Sequence, residues 1–401
     1  MSSQIIQGSD FILSFPVSHF ISDWRAVKHT FHLLVFIKTD QGIIGFGEGT
    51  PYFSTIYKDS KAVRRILNRI RGLSLTEAWK TVVEFGEESF KNYKSSRYNY
   101  GAFLAMESAI LDAIGKEKRF RVAELLGGVY REVVPVCGTV FLKHPKKMAE
   151  EVNKWLMKNI KHIKIKVPCN LDELETTLKT IVENTHSDET DIVLRADANG
   201  CFKNVDKGIK ALKIMESYGI DIVEQPLPKK DIQGLKRLRK LFYPSIKIMI
   251  DESLTRPDDV RMFAEQEVAD IINFHPSKLG CLTITRNSML EARKLGFEVQ
   301  IGSSLMTDIG VAQYTHLAAS LPTLDYPLEE VGLCEFYGYC IARNPQTING
   351  GAFTLPSKKG LGVLLKFSSI KKFLVREFLR PSVFNEMKNM AKLFFLKVWG
   401  S

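Results

Sequence analysis

The chain has 401 residues, 45% hydrophobic and 25% charged, with 56 Lys and Arg against 45 Asp and Glu for a formal net charge of +11. That length suits a large domain with an addition, and the composition fits a buried core and excludes a disordered polymer. No apolar run reaches membrane-spanning length, and no zinc-finger, RNA-binding or P-loop motif accompanies the basic charge, so neither a membrane span nor nucleic-acid binding is expected.

The opening MSSQIIQGSD has neither a basic n-region nor an apolar h-region, which gives the expectation of a cytoplasmic protein. Cys137, Cys169, Cys201, Cys281, Cys334 and Cys340 form no C-x-x-C pair and are expected to be reduced thiols, neither a disulfide frame nor a zinc site. Residues 4–50 read as a β-meander, with two strands around the turn Asp40-Gln41-Gly42. The stretches Ser14–Trp24 and Pro51–Asp59 read as loops. They carry Phe15, Phe20, Trp24, Tyr52, Phe53 and Tyr57, a residue type that commonly lines ligand pockets. Residues 60–127 have apolar positions at helical spacing, with Gly127-Gly128 as the stop.

A barrel is expected to begin near Val133. From Ile163 to Lys278 the chain alternates short apolar runs (IKIKV, VLRADANG, IVEQPL, IMIDES, IINFHPSK) with Lys-, Leu- and Glu-rich helical segments. This is the pattern of consecutive βα units in a parallel sheet, an α/β fold. Lys164, Lys166, Asp197, Asn199, Glu224, Asp251, Glu252, His275 and Lys278 all fall at the C-terminal ends of these strands. In a (β/α)8 barrel those ends meet on one face, where active sites lie. Asp197 and Glu224 are 27 residues apart (224 − 197), as are Glu224 and Asp251 (251 − 224). Any one of these acids alone would read as a helix cap. Three in step form a negative cluster that calls for a hard divalent cation, Mg²⁺ ahead of Mn²⁺ or Ca²⁺. Lys164 and Lys166 share a strand face, and a second cation in a dry site favours a lysine acting as base. Asp251 and Glu252 are adjacent and point in opposite directions.

The ordered motifs Lys164-Ile165-Lys166, Asp197-Ala198-Asn199, Glu224-Gln225-Pro226 and Asp251-Glu252-Ser253 resemble the enolase superfamily. Within it they resemble the muconate-lactonizing-enzyme subgroup, which includes dipeptide epimerases and o-succinylbenzoate synthases. The resemblance runs from about residue 10 to 366. It implies an α+β capping domain over 1–130, a (β/α)8-type barrel over 131–345 and a return to the cap over 346–368, leaving 369–401 outside. It implies that the Ser14–Trp24 and Pro51–Asp59 loops close over the substrate. It further implies Mg²⁺ (or Mn²⁺) on Asp197, Glu224 and Asp251, with Lys166 as the base that abstracts a proton next to a substrate carboxylate, giving an enolate. Lys164 would support the site by charge, and Asn199 would touch the substrate or support the ligands.

Two places depart from the family pattern. His275 stands where racemases and epimerases carry a second acid/base Lys, 24 residues after Asp251 (275 − 251), and Lys278 matches a later cation. An imidazole can exchange protons near neutral pH, but a lone strand His is also a common hydrogen-bonded core residue. Dipeptide epimerases carry Asp-x-Asp on the eighth strand; here Thr323-Leu324-Asp325 leaves Asp325 as the one acid for a substrate ammonium. Ser303 and Ser304, after Gly302, fall where the family contacts the substrate carboxylate. The expected function is α-proton abstraction from a small acid. Two competent faces would give racemisation or epimerisation. A single face would give elimination or cycloisomerisation, and loss of catalysis would leave a binder of an acidic ligand. Beyond the resemblance, residues 366–401 hold eight Lys/Arg and two Asp/Glu, and Phe384, Met387, Ala391, Phe394 and Val398 share a helical face. Packing on the protein or assembly into a homo-oligomer is the expectation for this basic amphipathic extension.

Overall fold

The computed structural model describes residues 3–22, 25–50, 55–91, 100–185 and 192–375. Strands β1 (Ile5–Ser22), β2 (Arg25–Thr39) and β3 (Ile44–Gly49) form an antiparallel sheet in that order. The β1–β2 pairing runs from Ile5 opposite Thr39 to Ser22 opposite Arg25, so most of the expected Ser14–Trp24 loop is strand. Phe15 is fully buried, its ring 4.3 Å from that of Phe373 and 5.9 Å from that of Tyr339, and it serves the core instead of a pocket. Tyr57 is 43% exposed, and Phe20, Trp24, Tyr52 and Phe53 lie outside the described side chains.

Helices α1 (Ile56–Ile70), α2 (Leu75–Lys91), α3 (Tyr100–Lys118) and α4 (Val122–Leu126) complete the N-terminal part. Helix α2 opens with a reciprocal cap: Ser74 N–H donates to Glu77, and Glu77 N–H donates to Ser74 Oγ. Helix α3 is buried over nearly its whole length because it lies directly on β3. Gly45, Gly47 and Gly49, two apart and so on one strand face, permit this approach; a Cβ at each would run into the α3 backbone at Ala109, Ala105 and Gly101.

Strand β4 (Val133–Pro135) pairs with β12 (Ala352–Thr354), which fastens the return segment. The parallel sheet consists of β5 (Gly138–Val140), β6 (His162–Lys166), β7 (Val193–Asp197), β8 (Ile222–Glu224), β9 (Lys247–Ile250), β10 (Ile271–Phe274) and β11 (Glu298–Ile301), each bonded to the next in sequence order. Leu328 and Glu329 close it into a barrel. Leu328 exchanges hydrogen bonds with Pro135 and Cys137, and Glu329 N–H donates to Ile301. The eighth barrel position is therefore three to four residues later than Asp325. Helices α5 (Pro145–Leu156), α6 (Leu171–Asn184), α7 (Val205–Ser217), α8 (Ile232–Phe242), α9 (Asp259–Gln266), α10 (Pro276–Leu279), α11 (Leu282–Lys294) and α12 (Asp308–Ala319) make the crossovers. Their starts follow from sequence: Asn170 accepts from Asp172 and Glu173 N–H, and Asn204 and Asp231 cap α7 and α8 likewise.

Buried carboxylates join the two parts. Glu107 on α3 accepts from Leu282 and Thr283 N–H at the start of α11. Glu48 on β3 accepts from Thr307 and Gly310 N–H at the start of α12 and is paired with His32. Asp112 accepts from Leu361 N–H in the return segment.

After the barrel come α13 (Gly332–Tyr337) and α14 (Phe367–Phe373). Cys334 and Cys340 are joined in a disulfide, which corrects the expectation of six thiols. Helix α13 ends at Gly338 in the left-handed conformation (φ 69°), and this turns the chain so that the two Cα atoms stand 4.7 Å apart. Cys137, Cys169, Cys201 and Cys281 are not disulfide-bonded. Among the described residues no helix is long and apolar enough to cross a membrane. The apolar face expected for the extension, Phe384 to Val398, lies outside the described residues.

Candidate active site

The C-terminal ends of β6 to β10 bring the expected residues to one mouth. Lys166 Nζ donates to Asp197 Oδ2 at 2.6 Å and to Asn199 Oδ1 at 2.9 Å. Asn199 sits at φ 45° in the turn after β7, a conformation Asn tolerates, and this aims its side chain back across the mouth. Its amide donates on to Glu252, so Asn199 bridges the base candidate and the fifth strand. Lys164 Nζ lies 2.6 Å from Glu329, 3.4 Å from Glu224 and 3.5 Å from Asp197. His275 Nε2 is 2.9 Å from Asp251 Oδ1, and Lys278 donates to the same oxygen. Gln225 sets the neighbouring backbone: its carbonyl oxygen accepts from Asp251 and Ser253 N–H.

The charges are unevenly settled. Burial above all, then Asp197, pushes Glu224 up to about 8. Burial also raises Asp251, but His275 and Lys278 overcome it and hold that carboxyl well below its usual range. Burial opposes the Lys164 ammonium, yet Glu224 and Glu329 hold its pKa well above the ordinary value. The imidazole of His275 is lowered, chiefly by burial, against the pull of Asp251.

Three carboxylates with oxygen-only donors suit a hard divalent ion such as Mg²⁺. Glu224 Oε2 and Glu252 Oε2 are buried and accept no hydrogen bond, although Lys164 Nζ stands 3.4 Å from the Glu224 oxygen, so both oxygens keep lone pairs for a cation. The oxygens of Asp197, Glu224 and Asp251 do not gather as tightly as those of a closed ligand cage. Among the described residues, the one trio of ligand-type atoms mutually within 4.8 Å is Asp308, Cys334 and Cys340, whose two sulfurs are bonded to each other. At the mouth, Lys164 stands between Asp197 and Glu224 instead.

Ser303 and Ser304 follow β11 at the same end of the barrel, but their groups are engaged internally. Ser303 Oγ and Ser304 N–H donate to Glu330, and Ser304 Oγ is 2.6 Å from Ser277 Oγ. Asp325 does not join them. It accepts from Arg293 and from Val299 N–H, near the beginning of β11, at the opposite end of the barrel. The residue that reaches the mouth from the eighth position is Glu329. It accepts from Lys164, Arg195 and Asn273, and it is held at about 2 because Arg195 and Lys164 outweigh its burial. Arg195, two residues before Asp197 on the same strand face, is 3% exposed and also donates to Gln300. Period-two spacing would have flagged Arg195, and reading PLEEVG as the closing strand would have flagged Glu329.

Residues 147–369 match the family described as enolase C-terminal domain-like. The chain is 28% identical to the N-succinyl-L-Arg/Lys racemase of Bacillus cereus over 72% of this chain and 76% of that protein. It is also 28% identical to the o-succinylbenzoate synthase of Bacillus subtilis, over 84% and 87% of the two chains. The crystal structure of the Bacillus cereus N-succinyl Arg/Lys racemase superposes with a TM-score of 0.80 at 23% identity, covering 94% of this chain and 98% of that one, a likeness of fold. With the family match over residues 147–369, more than half its length, the chain belongs to the enolase superfamily, in its mandelate racemase and muconate-lactonizing branch.

Proposed function

We propose that this chain is a divalent-metal-dependent enzyme that removes the proton α to the carboxylate of a small, amino-acid-derived acid and returns a proton to the opposite face. The observation that carries this reading is the placement of Lys166 and His275. In the sheet, β6 and β10 flank the three strands β7, β8 and β9, so the two proton-transfer candidates stand on either side of the carboxylate set. Asp197, Glu224 and Asp251 would hold the ion. Bound there, it supplies positive charge for the substrate carboxylate and for the charge that develops on loss of the α-proton. Lys166 takes that proton onto Nζ, which Asn199 and Asp197 aim into the mouth. His275 serves the other face, and Lys164, fixed by Glu329, keeps a permanent positive charge beside the developing anion. Ser303, Ser304 and Lys278 border the substrate in this reading. The relatives named for racemisation and for o-succinylbenzoate synthesis support the class of chemistry.

A one-base elimination is the second reading. It is favoured by the burial-lowered imidazole of His275, which faces a proposed metal ligand instead of open space. Proton exchange in D₂O with Mg²⁺, followed by ¹H NMR on each enantiomer of candidate acids, separates the two. The proposal expects exchange from both enantiomers, with His275→Ala losing one of them by about 10²- to 10⁴-fold, the range of a proton-transfer group. Exchange confined to one enantiomer in the unaltered protein selects elimination, and no exchange across a broad set of α-acids contradicts both.

A further inference from the structure

Gly302 follows β11 and donates its N–H to Phe274, so it lies beside His275 on the neighbouring strand. Its backbone is ordinary: it is not among the glycines with positive φ. Any residue could adopt that conformation, so the reason for a glycine is space. A Cβ at 302 would lie 2.6 Å from Asn273 Oδ1 and closer still to Nε2 and Cε1 of His275, well inside van der Waals contact. Asn273 cannot readily yield, because its amide donates to Glu224 at 2.9 Å and to Glu329 at 3.2 Å. The same Nε2 stands 2.9 Å from Asp251, and Pro276 begins α10 immediately after the histidine.

We infer that Gly302 is a positioning residue: its bare Cα is the berth of the His275 imidazole, and it determines that β10 can present a histidine to the mouth. This rests on the reading of His275 as the second-face proton-transfer group. A methyl at 302 must displace the ring from its place 2.9 Å from Asp251, so the residue acts through His275 without touching substrate.

The test combines Gly302→Ala, His275→Ala and the double variant, each assayed by enantiomer-resolved exchange in D₂O with Mg²⁺ and by thermal unfolding. Gly302→Ala should slow exchange on the His275 face at least tenfold and leave the Lys166 face within about threefold, since a misplaced proton-transfer group forfeits part of its 10²- to 10⁴-fold contribution. Its imidazole ¹H–¹⁵N signals should shift. In the double variant the ring's space is empty and only the contact with Asn273 Oδ1 remains, so Gly302→Ala should lower Tm less in His275→Ala than in the parent and should change the rate no further. Equal slowing of both faces, or an equal Tm loss in the presence and absence of His275, would overturn the berth. Unchanged exchange in His275→Ala would instead sink the acid/base reading, while the Tm cycle still decides whether the glycine seats the ring.

Discussion

Two populations of buried carboxylates occupy this molecule, and their partners differ in kind. Where the N-terminal part meets the barrel, Glu48, Glu107 and Asp112 accept chiefly from backbone N–H groups at helix starts and in the return segment, with His32 also paired to Glu48 and Lys116 to Asp112. Those backbone donors are fixed dipoles, so the carboxylates are satisfied once the chain is folded. At the mouth, Asp197, Glu224, Asp251 and Glu329 face lysines, an arginine and a histidine, and Glu224 Oε2 accepts no hydrogen bond. Burial is common to both groups. The mouth acids are set apart by several buried cationic side chains that they share, Lys164 above all, which lies near Asp197, Glu224 and Glu329 at once.

If this contrast is right, the joint acids carry stability that the mouth acids do not. Glu48→Ala strands Thr307, Gly310 and His32 without an acceptor and should cost about 3–5 kcal/mol in urea unfolding. Glu224→Gln should cost far less. Mg²⁺ should sharpen the contrast from the other side. At a hundredfold excess over its Kd it should stabilise the protein by about 2.7 kcal/mol. That increment should vanish in Asp197→Asn, Glu224→Gln and Asp251→Asn but persist in Glu107→Gln. An increment retained in all three mouth variants would break the assignment.

The Cys334–Cys340 disulfide should resist alkylation until reduced, as read by mass, and closing its short loop should contribute about 2 kcal/mol. Six alkylated thiols without reductant would contradict it. The last effect is a slope. Burial raises Asp59 from its ordinary 3.8 to about 7, so as pH rises the unfolded chain releases this proton first. The stability it contributes is complete below about pH 3.8 and is lost as pH rises to about 7, at up to about 1.4 kcal/mol per pH unit. Asp59→Asn keeps an acceptor for Ala102 N–H and should remove that slope. Parallel pH profiles for the variant and its parent would contradict it.

The sequence made the β6-to-β9 half of the mouth legible because period-two lysines and acids at equal steps report directly on strand ends. Beyond β10 that regularity fails. The closing segment is too short and irregular to show alternation, so Asp325 reads as a mouth residue although it lies at the far end of the barrel, and Glu329 goes unnoticed. The outer part of β1, from Ser14 on, was hidden by Ser, Pro and aromatic residues that mimic a loop, and only pairing with β2 makes Phe15 a core residue. The disulfide depends on a left-handed glycine that cysteine spacing does not announce.

The central claim is that Lys166 removes the α-proton at this carboxylate mouth. The direct measurement is α-proton exchange in D₂O by Lys166→Met with saturating Mg²⁺, on an acid that the unaltered protein turns over. The account predicts exchange reduced by about 10²- to 10⁴-fold from the enantiomer whose α-proton faces Lys166, and interconversion of the two enantiomers lost, with the Mg²⁺-induced Tm rise intact. Full-rate exchange from both enantiomers in Lys166→Met, with the ion still bound, would contradict it.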